Sequence, residues 1–302
     1  MSGLTVPLTS RFSAYVQLAR PHQYVKNAFI WLPLFFGYKL AEHRAVLNTL
    51  WAFAVFSLAA SSVYILNDIR DVREDRHHPR KKNRPLASGA LSVPNALTFL
   101  AFLLIVSFSI TLAVLPKNFL YILTGYLLLN IAYSFYLKHI AIIDVVCIAT
   151  GFVLRIFAGG AVSGIPLSHW IVIMTFLLAL FLALGKRRDD LLISANGCST
   201  RKSLDGYNLE FVSLSMILMT SVVIVAYILY CVSPEVIQKH GSHDLYFTAF
   251  WVIIGLLRYL QITFVEERSG SPTMVLLQDR FLWVVIAGWI MTFYWLMFVA
   301  SH

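Results

Sequence analysis

Charge is what this chain has least of. Only 13% of its 302 residues are Asp, Glu, Lys or Arg, and 59% are hydrophobic, against roughly 25% and 45–50% in soluble globular chains. That balance excludes a soluble fold and leaves no room for a separate soluble domain. Cysteine is equally scarce. Cys147, Cys198 and Cys231 stand far apart without metal-type spacing, which excludes a disulfide framework and a cysteine zinc site. The opening residues carry no long apolar run followed by a small-residue cleavage pattern, so no removable signal peptide is expected and the first span should anchor the chain. No Ser-His-Asp set and no activated cysteine is visible, so covalent nucleophilic catalysis is not expected.

What the chain does have is apolar runs. A membrane-spanning helix takes about 20 residues, and apolar runs fall near 26–40, 46–66, 95–115, 118–137, 140–162, 168–184, 211–232, 245–264 and 281–300. The expected architecture is therefore all-α: a polytopic integral membrane protein with nine transmembrane helices. Alternate connections differ sharply in charge. Arg11, Arg20 and Lys26, a dense cationic stretch over 70–84, Lys138, a second stretch over 186–202, and Arg268 and Arg280 all fall on one side; Lys39, Arg44, Lys117 and Lys239 fall on the other. By the positive-inside rule the N-terminus is cytoplasmic and the C-terminus outside. The net charge of +9 then reads as topology and attraction to anionic lipid, with no nucleic-acid partner.

The carboxylates are just as one-sided, with only Glu42, Glu235 and Asp244 expected outside. Topology does not require that. Carboxylates interleaved with arginines and lysines at one membrane surface suit a divalent metal together with a polyanion. The densest stretch is Asn67-Asp68-Ile69-Arg70-Asp71-Val72-Arg73-Glu74-Asp75-Arg76, just after the second run. If the helix continues, Asp68, Asp71 and Asp75 share one face, and their mutual repulsion is relieved by a cation. Two further charges lie inside an apolar run. Asp144 and Arg155 are eleven residues apart, close to three turns, so they share a face of the fifth span. A charge that deep is costly unless paired or wet, and a polar cavity is expected beside them.

The run Asn67-Asp68-x-x-Asp71-x-x-x-Asp75 resembles the first aspartate-rich motif of the UbiA-type intramembrane prenyltransferase superfamily, and Tyr133-Ser134-x-x-x-Lys138 resembles another of its features. The resemblance spans nearly the whole chain. It implies nine helices in a single transmembrane domain over 1–302, with cytoplasmic loops 67–94 and 185–210 forming the mouth of a Mg²⁺-dependent site. The departure from the pattern is informative. Where these prenyltransferases carry a second aspartate-rich motif, this sequence reads Gly185-Lys186-Arg187-Arg188-Asp189-Asp190. With Arg20-Pro21-x-Gln23-x-x-Lys26-Asn27, Arg84-Pro85-Leu86-Ala87-Ser88-Gly89, Leu137-Lys138-x-x-x-x-x-Asp144 and Arg201-Lys202-Ser203-Leu204-x-x-Tyr207, the chain is similar to the decaprenyl-phosphate phosphoribosyltransferase branch.

That branch transfers 5-phosphoribose from phosphoribosyl diphosphate (PRPP) to a polyprenyl phosphate. The resemblance implies Mg²⁺ as cofactor, PRPP and a polyprenyl phosphate as substrates, and a plasma (inner) membrane site facing the cytoplasm; a homo-oligomer is left open. Asp68, Asp71 and Asp75 are the expected catalytic carboxylates and, with Asn67, the metal ligands. Lys26, Arg70, Arg76, Arg84, Tyr133, Lys138, Asp144, Arg155, Lys186, Arg187, Arg201 and Lys202 are the expected substrate-binding residues. The acceptor phosphate is already ionised at neutral pH, so the reaction needs positioning and charge stabilisation rather than a strong base. A Mg²⁺-dependent prenyltransferase acting on an aromatic or other acceptor is the alternative. A non-catalytic transporter would instead carry charges through several spans and an internal repeat.

Overall fold

The computed structural model describes residues 8–77, 81–195, 202–268 and 272–298, and among them there are helices and turns but no strand. The order is α1 (Leu8–Ala19), a 3-10 segment (Pro21–Trp31), α2 (Leu32–Phe36), α3 (His43–Asp75), α4 (Val93–Val114), α5 (Lys117–Phe135), α6 (Ile143–Ser163), α7 (His169–Ala195), α8 (Leu209–Val232), α9 (Pro234–His240), α10 (Ala249–Phe264), α11 (Pro272–Gln278) and α12 (Arg280–Phe298).

Among the described residues seven helices are long and apolar enough to cross a membrane, or eight if α11 and α12, bent by 81°, form one broken span. The expectation of nine runs differs from this at the first. Residues 21–36 hold Pro21 at the start of a 3-10 segment and Pro33 at the start of α2. A proline lacks the N–H of a helical bond and is tolerated only in a first turn, so this apolar run is divided into two short helices instead of one long one.

The chain divides into two compact units, residues 1–139 with 150–167, and residues 140–149 with 168–302. The first is built round α3. At 33 residues this helix is about 50 Å long at 1.5 Å per residue, well over the ~30 Å hydrocarbon thickness, so its last turns continue past the apolar body with the aspartate run on them. Phe56, Phe119, Leu123, Tyr126 and Ala158 form one core against α3, while Ala14 and Leu18 of α1 pack with Ile65, Leu86, Leu91 and Leu103 in another. Ser92 caps α4 by accepting from Asn95 N. In the second unit, Phe181, Leu184, Val212, Met216, Leu256 and Tyr259 join α7, α8 and α10. Arg258 there bridges Glu266 and Asp279, both at 2.7 Å, across the break before α12.

Candidate active site

The aspartate run lies on an unbroken helix, as the spacing predicts, and each carboxylate meets cations from elsewhere in the first unit. Asp68 and Asp75 are buried. Arg84 Nη1 donates to both, at 3.0 Å to Asp68 Oδ1 and 2.6 Å to Asp75 Oδ2. Arg20 also donates to Asp68 Oδ1, and Lys81 Nζ is 3.8 Å from Asp75. Asp71 is held separately, 2.7 Å from Lys138 Nζ. The shared face therefore resolves into a close pair, Asp68 with Asp75, and a third carboxylate engaged by a buried lysine.

Arg20 and Lys81 did not stand among the expected site residues. A signal for Arg20 exists in the sequence: the residue before a proline is pushed out of the helical region, which marks the end of α1. Arg20 is left-handed at φ 55°, and that turn carries its guanidinium back to α3. Arg70, expected to bind substrate, instead donates to Ser134 O and Phe135 O and lies over the Phe135 ring. It thereby fixes the turn that presents Lys138. Tyr133 is half-buried on α5 beside Ser134, Asn67 is half-buried on α3, and Arg76 is exposed at the end of α3. His139, next to Lys138, is held below its ordinary value by burial first and then by Lys138 and Arg70.

Arg155 belongs to the first unit and is buried. Its Nε donates to Asn27 Oδ1 at 2.8 Å, Nη1 to Gly151 O at 2.7 Å and Nη2 to Tyr126 OH at 3.2 Å, and its guanidinium lies over Phe56, Tyr126 and Phe152. Asn27 in turn donates to Ser57. Arg155, expected to bind substrate, is thus surrounded by neutral partners that join the helices of the first unit. Lys26, on the same 3-10 segment, is half-buried.

Asp144 falls in the second unit, where its partner is Arg187, with Nε 3.1 Å from Oδ2. Tyr207 OH donates to the other oxygen at 2.6 Å while accepting from Ile142 N; burial and then this bond to the carboxylate push the phenol upward. Arg187 is fully buried and also donates to Asp190 Oδ2 at 2.6 Å. Arg187, expected to bind substrate, thus meets two carboxylates, and Asp144 closes an ion pair with it. Arg188 donates to Thr263 O and lies over Phe264. Lys186 is half-buried on α7. Lys202 begins a short 3-10 turn, and Arg201 lies outside the described residues.

Among the described residues no three His, Cys, Asp or Glu side chains are grouped closely enough to enclose a metal ion. The pair on α3 nonetheless fits a divalent cation. Asp68 Oδ2 is buried without a hydrogen-bond partner, and Arg84 already brings Asp68 and Asp75 to one cationic point. Hard carboxylate oxygens are the donors that Mg²⁺ takes.

A family model described as the UbiA prenyltransferase family matches residues 30–285. The chain is 33% identical over 300 residues to a decaprenyl-phosphate phosphoribosyltransferase of Mycolicibacterium smegmatis, covering 95% of this chain and 93% of that one. It is 31% identical over 281 residues to one of Corynebacterium glutamicum, covering 91% and 84%. Among solved structures, a UbiA homolog from Archaeoglobus fulgidus bound to GPP and Mg²⁺ superposes with a TM-score of 0.68 at 19% identity, over 95% of this chain and 100% of that one.

Proposed function

The chain belongs to the UbiA prenyltransferase family, and from that premise we propose that it transfers 5-phosphoribose from PRPP to a polyprenyl phosphate and releases diphosphate. Relatives so named match at about a third identity over nearly the whole chain. The structural observation that carries the reading is the interleaving at the end of α3, where two buried carboxylates are bound by Arg20, Arg84 and Lys81 and a third by Lys138. A site of this composition suits a substrate that is a polyanion and arrives with a metal.

Asp68 and Asp75, with Asn67 and Asp71 on the same helix, hold Mg²⁺ in this reading. The ion, when bound, neutralises charge building on the leaving diphosphate. Arg20, Lys81, Arg84 and Lys138 make charge-assisted hydrogen bonds to phosphate oxygens, and Lys26, Arg76, Tyr133, Lys186, Arg201 and Lys202 add further donors along 1–302. Arg70, Arg155, Arg187 and Asp144 act by positioning the helices that carry them. The acceptor phosphate is anionic at neutral pH and attacks C1 of the ribose without a general base. The C1–O bond to diphosphate breaks as the new bond forms, and in-line displacement turns the α-linked donor into a β-linked ribosyl phosphate. The protein lies in the plasma membrane with its N-terminus and reactive carboxylates on the cytoplasmic side, and the run over 26–40 crosses as the first of nine spans.

The test is purified protein with Mg²⁺, radiolabelled PRPP and a polyprenyl phosphate. Label should pass to the lipid phase, with NMR of the product giving the β anomer. An α-linked product overturns the displacement mechanism. Prenylation of an aromatic acceptor from a prenyl diphosphate, with no response to PRPP, overturns the assignment.

A further inference from the structure

Within the first unit, an open cavity of about 680 Å³ runs between α1, the 3-10 segment and α4. Its size falls within the roughly 300–1,000 Å³ of pockets that bury small ligands. The walls are aromatic. Phe12 and Tyr15 of α1 face Phe99 and Phe102 of α4, with Tyr15 and Phe99 meeting edge to face at 5.1 Å, and Ala19 and Pro21 lie at one end. α1 already buries Ala14 and Leu18 against α3 and α4, so its groove side is not needed to hold the helix in place. Phe12 remains 72% exposed and Phe102 59%. Thr98 spends its hydroxyl on Pro94 O.

Beside one end of this groove stands a cation. Ala19 and Pro21, both on its wall, flank Arg20, whose left-handed backbone turns the side chain onto Asp68. His22 follows, and its imidazole is held below its ordinary value by burial first and then by the charges of Arg20 and Lys26. Tyr24, which also lines the groove, reaches Ser61 of α3 at 2.8 Å. An apolar groove thus ends beside Arg20, with Lys26 further along the same segment, and Arg20 touches a proposed reactive carboxylate. A molecule complementary to both parts has a long apolar body and an anionic head.

We infer that the groove between α1 and α4 seats the isoprenoid tail of the polyprenyl phosphate acceptor, with its phosphate at Arg20 and Lys26. The assignment of the acceptor rests on the function proposed above; the groove and the cation beside its end do not. The groove takes the isoprene units next to the phosphate, whose methyl branches pack on the aromatic faces, and leaves the rest of the chain in the bilayer. An ordinary phospholipid shares the apolar body, but its phosphate is a diester with nothing to deliver to the carboxylate site.

The experiment uses the full-length protein in phosphatidylcholine nanodiscs and a polyprenyl phosphate with a photoreactive group near the head. Label is expected on peptides from 8–19 and 93–114, and should be displaced by unlabelled polyprenyl phosphate but not by equal phosphatidic acid. Thr98→Trp and, independently, Val16→Trp fill the groove from opposite walls. Each should cut labelling and raise KM for the polyprenyl phosphate by about tenfold, the loss expected when roughly one side chain's worth of apolar contact is removed, while KM for PRPP holds. Equal displacement by phosphatidic acid, or label absent from both helices, overturns the inference. Specific labelling in a protein that transfers nothing from PRPP leaves the groove standing and removes the proposed reaction instead.

Discussion

Asp68 places one oxygen between two guanidinium groups and leaves the other buried without a hydrogen bond. A buried acceptor without a partner costs about 1–3 kcal/mol, and a group kept at that cost is a natural place for a bound cation. Asp68→Asn and Asp75→Asn should each lower phosphoribosyl transfer by at least about 100-fold, since two charge-assisted contacts of ~1.5–3 kcal/mol are affected, while the protein still purifies folded in detergent. Full turnover in both variants, or turnover undiminished by excess EDTA, removes the metal from the mechanism. Arg187 behaves differently. It is fully buried between Asp144 and Asp190, and breaking a buried pair from one side costs about 3–5 kcal/mol. Arg187→Ala should therefore show a large drop in thermal stability before any change in KM for PRPP; a stable protein with only a raised KM returns Arg187 to the phosphate-binding set. The i, i+3 spacing of Arg187 and Asp190 is visible in the sequence, but Asp144 lies 43 positions away, and pairing over that distance leaves no local pattern.

At the scale of elements, close approach is set by glycine. A Cβ on Gly159 of α6 would stand 2.1 Å from Ile30 O and 3.1 Å from Pro33 Cδ, so the 3-10 segment and α2 can meet α6 only because that atom is missing. Gly125 of α5 has nothing within 4 Å of the same position. Gly159→Ala should destabilise by about 1–3 kcal/mol or more through overpacking, whereas Gly125→Ala should be neutral or stabilising by ~0.5–1 kcal/mol. Melting curves of the two variants side by side decide it, and equal behaviour would remove the close contact. The sequence shows both glycines on helices and nothing that separates them. It does show α3 well: the apolar run, the absence of proline and the i, i+3, i+7 carboxylates all point to one helix continuing through Asp75, and it does. In the first apolar run hydropathy registers composition alone, while Pro21 and Pro33 set where the helical bonds are interrupted.

At the scale of the whole molecule, the uneven spread of charge predicts which way the chain lies. In a variant lacking Cys147, Cys198 and Cys231, a cysteine at exposed Glu235 should react with a membrane-impermeant thiol reagent on intact cells, and one at exposed Ser88 only after the cells are opened; the reverse result inverts the topology. The length of α3 has another consequence. One uninterrupted helix carries both the membrane-embedded body and the carboxylates near its end, with no hinge between them. The depth of Asp68 and Asp75 relative to the headgroups is then tied to hydrophobic matching. Activity in bilayers of graded acyl length should pass through a maximum: thin bilayers leave apolar turns of α3 exposed and tilt it, and thick ones draw the carboxylates under the headgroups. A flat profile would mean that the site does not ride on the helix. Lipid thickness becomes a setting of the enzyme, read out through a single rigid rod.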